Sequence, residues 1–456
     1  MPWIYIFVII IPSIKSALLF IFWKPPRWLY LLLTISFLLC FLFFLTLTVG
    51  FYLRSSFFSS IIDGMRASQL LFLSAVNLFA TSFFAFLVFL KRELFHTSAI
   101  KFYLPLQILL AWAVISATWY LSLLLLIFSS LVIFIALFWW KQLEGRHFWV
   151  YFLTLGTVVS LSAWFILELT LPAKMVSSFE SGGSLFALEA VLAHVGLAFL
   201  ATQATIAVSV RREHTANGFL APLGIITAFS APFVFNIAWS AHHVSARIPL
   251  MIMGLSLVIG GALLSGSRRN QHSTPMFTML CNFGLSALGF AAGGTSGYLG
   301  AVLILLSMLF TKLPQAVAVF TAVDLAGAKF DYNLEGLGEA MPRLQKILRF
   351  ADAADAGLPP FPGFFGRLLI IIACLQSFNF SVALVAAVLA LAIFALLLNM
   401  EMRTFRGKPT LDISSIGDIS RWQVFLLAST IMILFILGLL SPWLVEGWQE
   451  IILQVS

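Results

Sequence analysis

Charged residues are scarce in this sequence. They make up 10% of the chain, whereas a soluble domain carries about 25%. A surface that faces water cannot be covered with so few charges, and no segment of the 456 residues has the composition of a soluble domain. The shortage excludes a soluble fold and predicts a protein embedded in a membrane.

Cysteines and catalytic motifs are equally scarce. Cys40, Cys281 and Cys374 lie far apart inside apolar runs. They have neither disulfide nor metal-ligand spacing, so we interpret them as small buried hydrophobic residues. The sequence contains no GxxxxGK[ST], no CxxC, no HExxH and no GxGxxG after a strand. We therefore predict no catalytic residue, no metal and no cofactor, and no catalytic module within this chain.

Apolar side chains are abundant instead. Hydrophobic residues make up 61% of the sequence and 47 residues are Phe, which suits a surface that faces lipid. The net charge of +8 would suggest a nucleic-acid partner in a soluble protein. Here it indicates cytoplasmic loops that face anionic lipid, so we expect a bilayer and no nucleic acid as partner.

The apolar residues form long runs. A transmembrane helix needs about 20 predominantly apolar residues. Counting the runs of about that length predicts an all-α polytopic membrane protein with about 14 transmembrane helices. The predicted spans are 2–23, 28–50, 68–91, 102–118, 119–140, 148–171, 185–210, 218–240, 247–266, 275–293, 298–322, 343–378, 381–402 and 422–445.

One of these runs is too long for a single helix. The run 343–378 is interrupted by the sequence GLPPFPG at residues 357–363. Proline and glycine end helices because they remove a backbone donor or a conformational restraint. We therefore predict that this helix is broken inside the membrane.

The positive charges predict the topology. The loops that follow odd-numbered spans carry nearly all of the loop Lys and Arg, while the even-numbered loops carry only Arg54, Arg66, Lys174 and Arg247. Loops rich in Lys and Arg remain in the cytoplasm. We expect the cytoplasmic (inner) membrane as the location and both chain termini on the outer, periplasmic side.

Charges inside the predicted spans are candidates for function, because a charge at the bilayer centre costs about 2.5 kcal/mol or more. Lys312 precedes Pro314, although a lysine reaching out from a helix end is an alternative interpretation. Arg367 follows the predicted break and cannot release a proton near neutral pH. Asp352 and Asp355, on the preceding half-helix, are its predicted partners, and a purely structural ion pair is the alternative.

Three further polar residues are candidates for an ion pathway in the first half. His194 and Gln203 both lie in span 7, and histidine titrates near neutrality. A histidine bonded to a neighbouring helix explains the same pattern. Glu168 lies near the outer end of span 6, where an interfacial carboxylate is the simpler interpretation. Asn236 and Asn282 are interpreted as groups that hydrogen bond between helices.

Two segments carry a resemblance to a known family. Residues 333–342 read NLEGLGEAMP, and residues 356–367 read AGLPPFPGFFGR. In order, spacing and topology they resemble the antiporter-like subunits of respiratory complex I. The same superfamily includes Mrp-type antiporters, energy-converting hydrogenases and inorganic-carbon uptake complexes. The resemblance is strong over roughly residues 265–405.

The resemblance implies two inverted five-helix repeats, with a broken helix in the second. The expected parts are residues 1–101 (three helices), 102–240 (a degenerate first repeat), 241–402 (the second repeat) and 403–456 (a loop and the last helix). It also implies that Arg367 stands where the family has Lys or Glu. The family Glu and Lys of the first repeat are missing, since Ser129 and Gln203 lie in the corresponding stretches.

The sequence therefore favours an antiporter-like membrane subunit of a multi-subunit complex that translocates protons or Na⁺. Its expected partners are other membrane subunits and peripheral redox or hydratase-like subunits. The missing charges of the first repeat leave open a degenerate, non-conducting structural subunit. A stand-alone solute or anion transporter that uses Arg367 as an anion anchor is a third hypothesis.

Overall fold

The structure is a computed structural model of the full chain. It describes residues 247–266, 274–326, 338–406 and 418–455, together with single positions between 28 and 42 and between 155 and 163. The chain divides into two compact units: Met1–Arg212 with Ala216–Trp239, and Ser240–Ser456 with Glu213–Thr215. In the first unit the described positions are helical.

Seven helices are described in the second unit, and no strand occurs within the described ranges. In chain order they are α1 (Arg247–Gly266), α2 (Thr274–Ala292), α3 (Gly294–Ala326), α4 (Pro342–Asp355), α5 (Pro362–Ser377), α6 (Phe380–Arg406) and α7 (Arg421–Val455). Six of them start within four residues of the start of a predicted span, and α5 lies inside the predicted run 343–378. The predicted break is confirmed, because α4 and α5 together replace the run 343–378.

The apolar length of these helices matches a membrane in part. Within the described ranges, Gly294–Lys312 and Phe380–Asn399 are long and apolar enough to cross a bilayer. Shorter apolar stretches occupy Leu250–Leu263, Phe277–Ala292, Pro362–Ser377 and Leu427–Trp443. The prediction of about 14 helices extends beyond the residues that the structure describes.

Helix α3 lies at the centre of the second unit and packs against α2, α4, α5 and α7. Residues 299–308 of α3 are all buried. By contrast, α6 exposes an apolar face along much of its length, including Phe380, Leu384, Val388 and Leu391. A bundle with a buried central helix and an outer helix that exposes apolar side chains is the arrangement expected when the outer surface faces lipid.

Glycines bring the helices of this unit close together. Gly300 of α3 and Gly366 of α5 face each other, and a Cβ added to either would lie 2.7–2.8 Å from the carbonyl oxygen of the other. Gly289 of α2 and Gly297 of α3 form a similar contact. Small residues allow such close approach between helices in membranes. The first contact holds α3, which carries Lys312, against α5, which carries Arg367, and the second holds α3 against α2.

Helix α7 packs directly on the break between α4 and α5. A Cβ added to Gly438 of α7 would overlap the carbonyl oxygen of Pro360 and approach Cα of Phe361. The Phe361 ring also packs edge-on against Phe435 of the same helix, with centroids 6.3 Å apart. The position of the break therefore depends on a residue without a side chain at 438.

The variant Gly438→Ala should displace α7 from the break and lower the stability of the full chain by about 1–3 kcal/mol. Gly260→Ala is the matched control, since a Cβ at Gly260 of α1 has no neighbour within 4 Å. Alanine at this half-buried helix position should stabilise slightly, by up to about 1 kcal/mol. Unfolding in detergent measures both variants, and equal stabilities would contradict the close contact at 438.

Candidate functional site: a buried charge cluster at the broken helix

The break begins with a regular helix C-terminus. Gly357 has φ +73°, a left-handed conformation that favours glycine. Its N–H donates to the carbonyl of Ala354 (3.1 Å), and the N–H of Leu358 donates to the carbonyl of Ala353 (3.0 Å). This is the Schellman pattern of a helix end. It leaves the carbonyl of Asp355 without a partner from the α4 backbone.

Arg367 supplies that partner. Its Nη2 donates to the carbonyl oxygen of Asp355 at 2.5 Å and to Oδ1 of Asn282 at 2.9 Å. A cation is favoured at a helix C-terminus because the carbonyl dipoles point there. Gly357 makes room for this contact, since a Cβ on Gly357 would overlap Nη1 of Arg367. The sequence AGLPPFPGFFGR thus contains both the helix end and the cation that satisfies it.

The second half-helix starts immediately afterwards. Phe361 is extended at the N-cap position of α5 and Pro362 occupies the first turn, where proline fits because its missing N–H has no helical partner. One turn and a half of helix then separates Pro362 from Arg367. The short connection therefore folds the guanidinium back towards the end of α4.

Lys312 and Asp355 form a buried ion pair between α3 and α4. Lys312 Nζ lies 2.5 Å from Oδ2 of Asp355, and both residues are 3% exposed. Lys312 Nζ also donates to Thr278 Oγ1 (2.8 Å) and to Gln315 Oε1 (3.0 Å). Lys312 lies inside the 33-residue α3, so it is not a lysine that reaches out from a helix end.

The carboxylate of Asp355 accepts hydrogen bonds from several helices. Asn282 Nδ2 (2.8 Å) and Thr311 Oγ1 (3.3 Å) donate to Oδ1. Thr278 Oγ1 (3.2 Å) and Gln315 Nε2 (3.3 Å) lie within hydrogen-bond distance of Oδ2. Both carboxylate oxygens thus have donors from α2 and from α3 within hydrogen-bond distance.

Asp352 joins the same cluster through Gln315. Gln315 Nε2 donates to Asp352 Oδ1 at 2.7 Å. Asp352 precedes Asp355 by three residues, so both carboxylates lie on one face of α4. Two cations, Lys312 and Arg367, are therefore enclosed with two carboxylates, and the formal charges of the four residues balance.

A carboxylate from outside the bundle core holds the start of α4. The N-cap residue Met341 offers no side-chain hydrogen bond. Instead Asp418, which precedes α7, accepts from the backbone N–H of Arg343 at 2.8 Å and of Leu344 at 3.4 Å. A negative charge at a helix N-terminus is stabilising. Each end of the α4 dipole thus meets a side chain of opposite charge from another element: Asp418 at the N-terminus and Arg367 at the C-terminus.

The structure brings four predicted residues together: Lys312, Asp352, Asp355 and Arg367. The pairing differs from the prediction, because the Asp355 carboxylate pairs with Lys312 while Arg367 reaches its backbone carbonyl. The interpretation of Asn282 as an interhelical hydrogen-bonding group is confirmed. Glu168, His194 and Gln203 lie outside the described residues, so their roles stay predictions. Ser129, expected where the family has Glu, also lies outside the described residues, and its role stays a prediction too.

Sequence analysis missed Thr278, Thr311 and Gln315. Helical spacing could have indicated them, because side chains three and four residues apart share a face. Thr278 lies four residues before Asn282, and Gln315 lies three residues after Lys312. Cys281, next to Asn282, is a free buried thiol as predicted, and so is Cys374.

Comparison with known proteins finds similarity to subunits of respiratory complexes. No family model matches the chain. It is 25% identical over 150 residues to NADH-quinone oxidoreductase subunit N of Gluconacetobacter diazotrophicus, covering 32% of this chain and 31% of that protein. It is 23% identical over 205 residues to NADH-ubiquinone oxidoreductase chain 4 of Polypterus ornatipinnis, covering 45% and 44%. The matches span less than half the length of these relatives.

The fold is shared over nearly the whole chain. A chain of respiratory complex I from Thermus thermophilus superposes with a TM-score of 0.75 at 16% identity, over 97% of each chain. A chain of the archaeal membrane-bound sulfane sulfur reductase superposes with a TM-score of 0.72 at 14% identity, over 94% of this chain and 75% of that one. The predicted resemblance to antiporter-like subunits is confirmed, and the chain is a multi-pass membrane protein.

Replacing Asp355 with Ala should destabilise the full chain by about 3–5 kcal/mol, because Lys312 would remain buried without its counter-charge. The double variant Lys312→Met/Asp355→Asn removes both charges and should be much less destabilising. Unfolding of the purified chain in detergent measures the difference. Equal losses in both variants would contradict a pair held together by its charges.

Proposed function

We propose that this chain is an antiporter-like membrane subunit of a multi-subunit complex, and that it contributes to proton translocation driven by chemistry in partner subunits. Its relatives are named as subunits of quinone oxidoreductases, and its fold neighbours belong to respiratory complexes. The single observation that carries the proposal is the Lys312–Asp355 pair, buried against the broken helix. The proposed location is the cytoplasmic membrane, with both termini on the outer side.

The pair has the chemistry that proton transfer requires. An ammonium and a carboxylate in contact can exchange a proton and become a neutral amine and a neutral acid, with no change in total charge. The protons of such a pair are shared, so a small movement of either helix alters where they reside. Arg367 cannot take part in this exchange, because guanidinium keeps its proton. Its guanidinium instead donates to the backbone carbonyl of Asp355 and to Asn282.

The donor set favours protons over Na⁺. The Asp355 oxygens already accept from Lys312, Asn282 and Thr311. A Na⁺ ion would have to displace the ammonium and these donors to reach the carboxylate. The proton needs no such space, because it is already present on Lys312.

Two further proposals concern organisation and partners. We propose that residues 241–402 form one repeat and 102–240 its inverted, degenerate counterpart, with 1–101 and 403–456 outside the repeats. The absence of a soluble module in the sequence supports peripheral redox or hydratase-like partners beside other membrane subunits. The anion-anchor hypothesis is disfavoured, since Arg367 Nη2 already donates two hydrogen bonds within the protein.

A non-conducting structural role remains the second candidate, because the first repeat lacks the expected Glu and Lys. The double variant Lys312→Met/Asp355→Asn separates the two functions in the assembled complex. If the pair translocates protons, pumping should fall to a small fraction of the wild-type level while assembly is retained. Lys346→Ala, on the exposed face of α4, is the matched control and should pump normally.

Proton uptake into membrane vesicles, normalised to the amount of assembled complex and to its turnover, measures this outcome. Normal pumping by the double variant, with normal assembly, would contradict a conducting role and favour the structural one.

A further inference from the structure

Helix α7 accompanies α4 from one end to the other. Asp418 and Ile419, just before α7, contact Arg343 at the start of α4. Gly438, in the middle of α7, packs on Pro360 just beyond the end of α4. The start of α4 thus meets the start of α7, and the end of α4 meets its middle. The two helices pack against each other and run in the same direction.

The Asp418 carboxylate joins the beginnings of these two helices. Its Oδ2 accepts from the N–H of Arg343 at 2.8 Å, and its Oδ1 lies 3.4 Å from the N–H nitrogen of Leu344. Oδ1 also accepts from the N–H of Ile419 at 2.7 Å, which fixes the carboxylate on the backbone that leads into α7. Arg343 Nη1 donates to the carbonyl of Ile419 at 3.4 Å. The first turn of α4 is therefore attached to the residues before α7.

Helix α4 depends on such an attachment. It has only 14 residues, and its outward side exposes Arg343, Lys346 and Arg349, so only one of its faces packs on the bundle. Asp352 and Asp355, the two carboxylates of the buried cluster, lie in its last turn. Any movement of α4 along its axis would displace both carboxylates relative to the helices that surround them.

Helix α7 is also packed against the helix that carries Lys312. It contacts α3 and α5 as well as α4, so it provides a common reference for the positions of Lys312 and Asp355. Their side chains are in direct contact, with Nζ 2.5 Å from Oδ2. A displacement of about 1.5 Å, the rise of one helical residue, would break this contact if it were directed along it.

We propose that Asp418 is a positioning residue for the Lys312–Asp355 pair and acts through the length of α4. Its carboxylate holds the N-terminus of α4 on α7. The continuous helix between Arg343 and Asp355, about 18 Å long, then holds the Asp355 carboxylate level with Lys312. The effect on proton translocation rests on the proposed function, whereas the coupling between the two ends of α4 is a property of the fold and is measured separately.

Unfolding of the full chain in detergent measures this coupling as a double-mutant cycle. Asp418→Ala is made in the wild type and in Lys312→Met/Asp355→Asn, which lacks the charged pair. In the background without the pair it should lower the folding equilibrium constant about fivefold, the usual cost of removing a helix cap. In the wild type it should lower this constant by a further factor of about two or more, because the pair is weakened as well.

Ile393→Val in α6 is the matched control. Ile393 is fully buried, and shortening a buried isoleucine to valine lowers stability by a similar amount. In the described part of the charge cluster, the hydrogen bonds come from α2, α3, α4 and α5, so the loss caused by Ile393→Val should be the same in both backgrounds. Equal losses for Asp418→Ala in the two backgrounds would overturn the inference, because sites that do not interact have additive effects.

Proton uptake into membrane vesicles separates this inference from the proposed function. Asp418→Ala should slow translocation by each assembled complex about twofold or more. Asp418→Asn keeps an acceptor for the N–H of Arg343 and should restore most of the rate. A cap with a merely structural role would lower the amount of assembled complex and leave the rate of each complex unchanged, which would also overturn the inference. Normal pumping by Lys312→Met/Asp355→Asn would instead show that the proposed function is wrong, whatever coupling is measured in detergent.

Discussion

The buried carboxylate of Asp355 is the constraint on which the rest of the second unit depends. An ionised group in an apolar interior costs several kcal/mol unless charges and hydrogen bonds compensate it. Three helices supply that compensation: α2 gives Thr278 and Asn282, α3 gives Lys312, and α5 gives Arg367 to the adjacent carbonyl. The carboxylate itself lies on α4. None of these elements can move independently without leaving a buried polar group exposed to an apolar environment.

The broken helix makes this concentration of charge possible. A continuous helix would satisfy the carbonyl of Asp355 internally and would leave no place for the guanidinium. Because Gly357 ends α4 and Pro362 begins α5, the end of one half-helix and the first turns of the next face the same small volume. Close glycine contacts between α3 and α5, and between α7 and the break, hold the two halves against the helix that carries Lys312.

Sequence alone predicted the parts that local chemistry determines. The spans came from apolar length, the break from GLPPFPG, and Lys312, Asp352, Asp355 and Arg367 from the cost of charge in a membrane. The pairing could not be predicted, because it depends on which faces of α3 and α4 meet. Thr278, Thr311 and Gln315 escaped notice for the same reason, since hydroxyl and amide groups in apolar helices are common and acquire a role only from their neighbours. The stretch MFTMLCNFGLSALGF, residues 276–290, supplies the neutral donors Thr278 and Asn282 to Asp355.

The central claim is that the cluster changes its protonation during the working cycle. Infrared difference spectra of the assembled complex, recorded between its resting and energised states, test this claim most directly. The account predicts a carbonyl signal from a newly protonated carboxyl group that disappears in Lys312→Met/Asp355→Asn and persists in the control Lys346→Ala. A spectrum with no carboxyl signal that depends on Asp352 or Asp355 would contradict it.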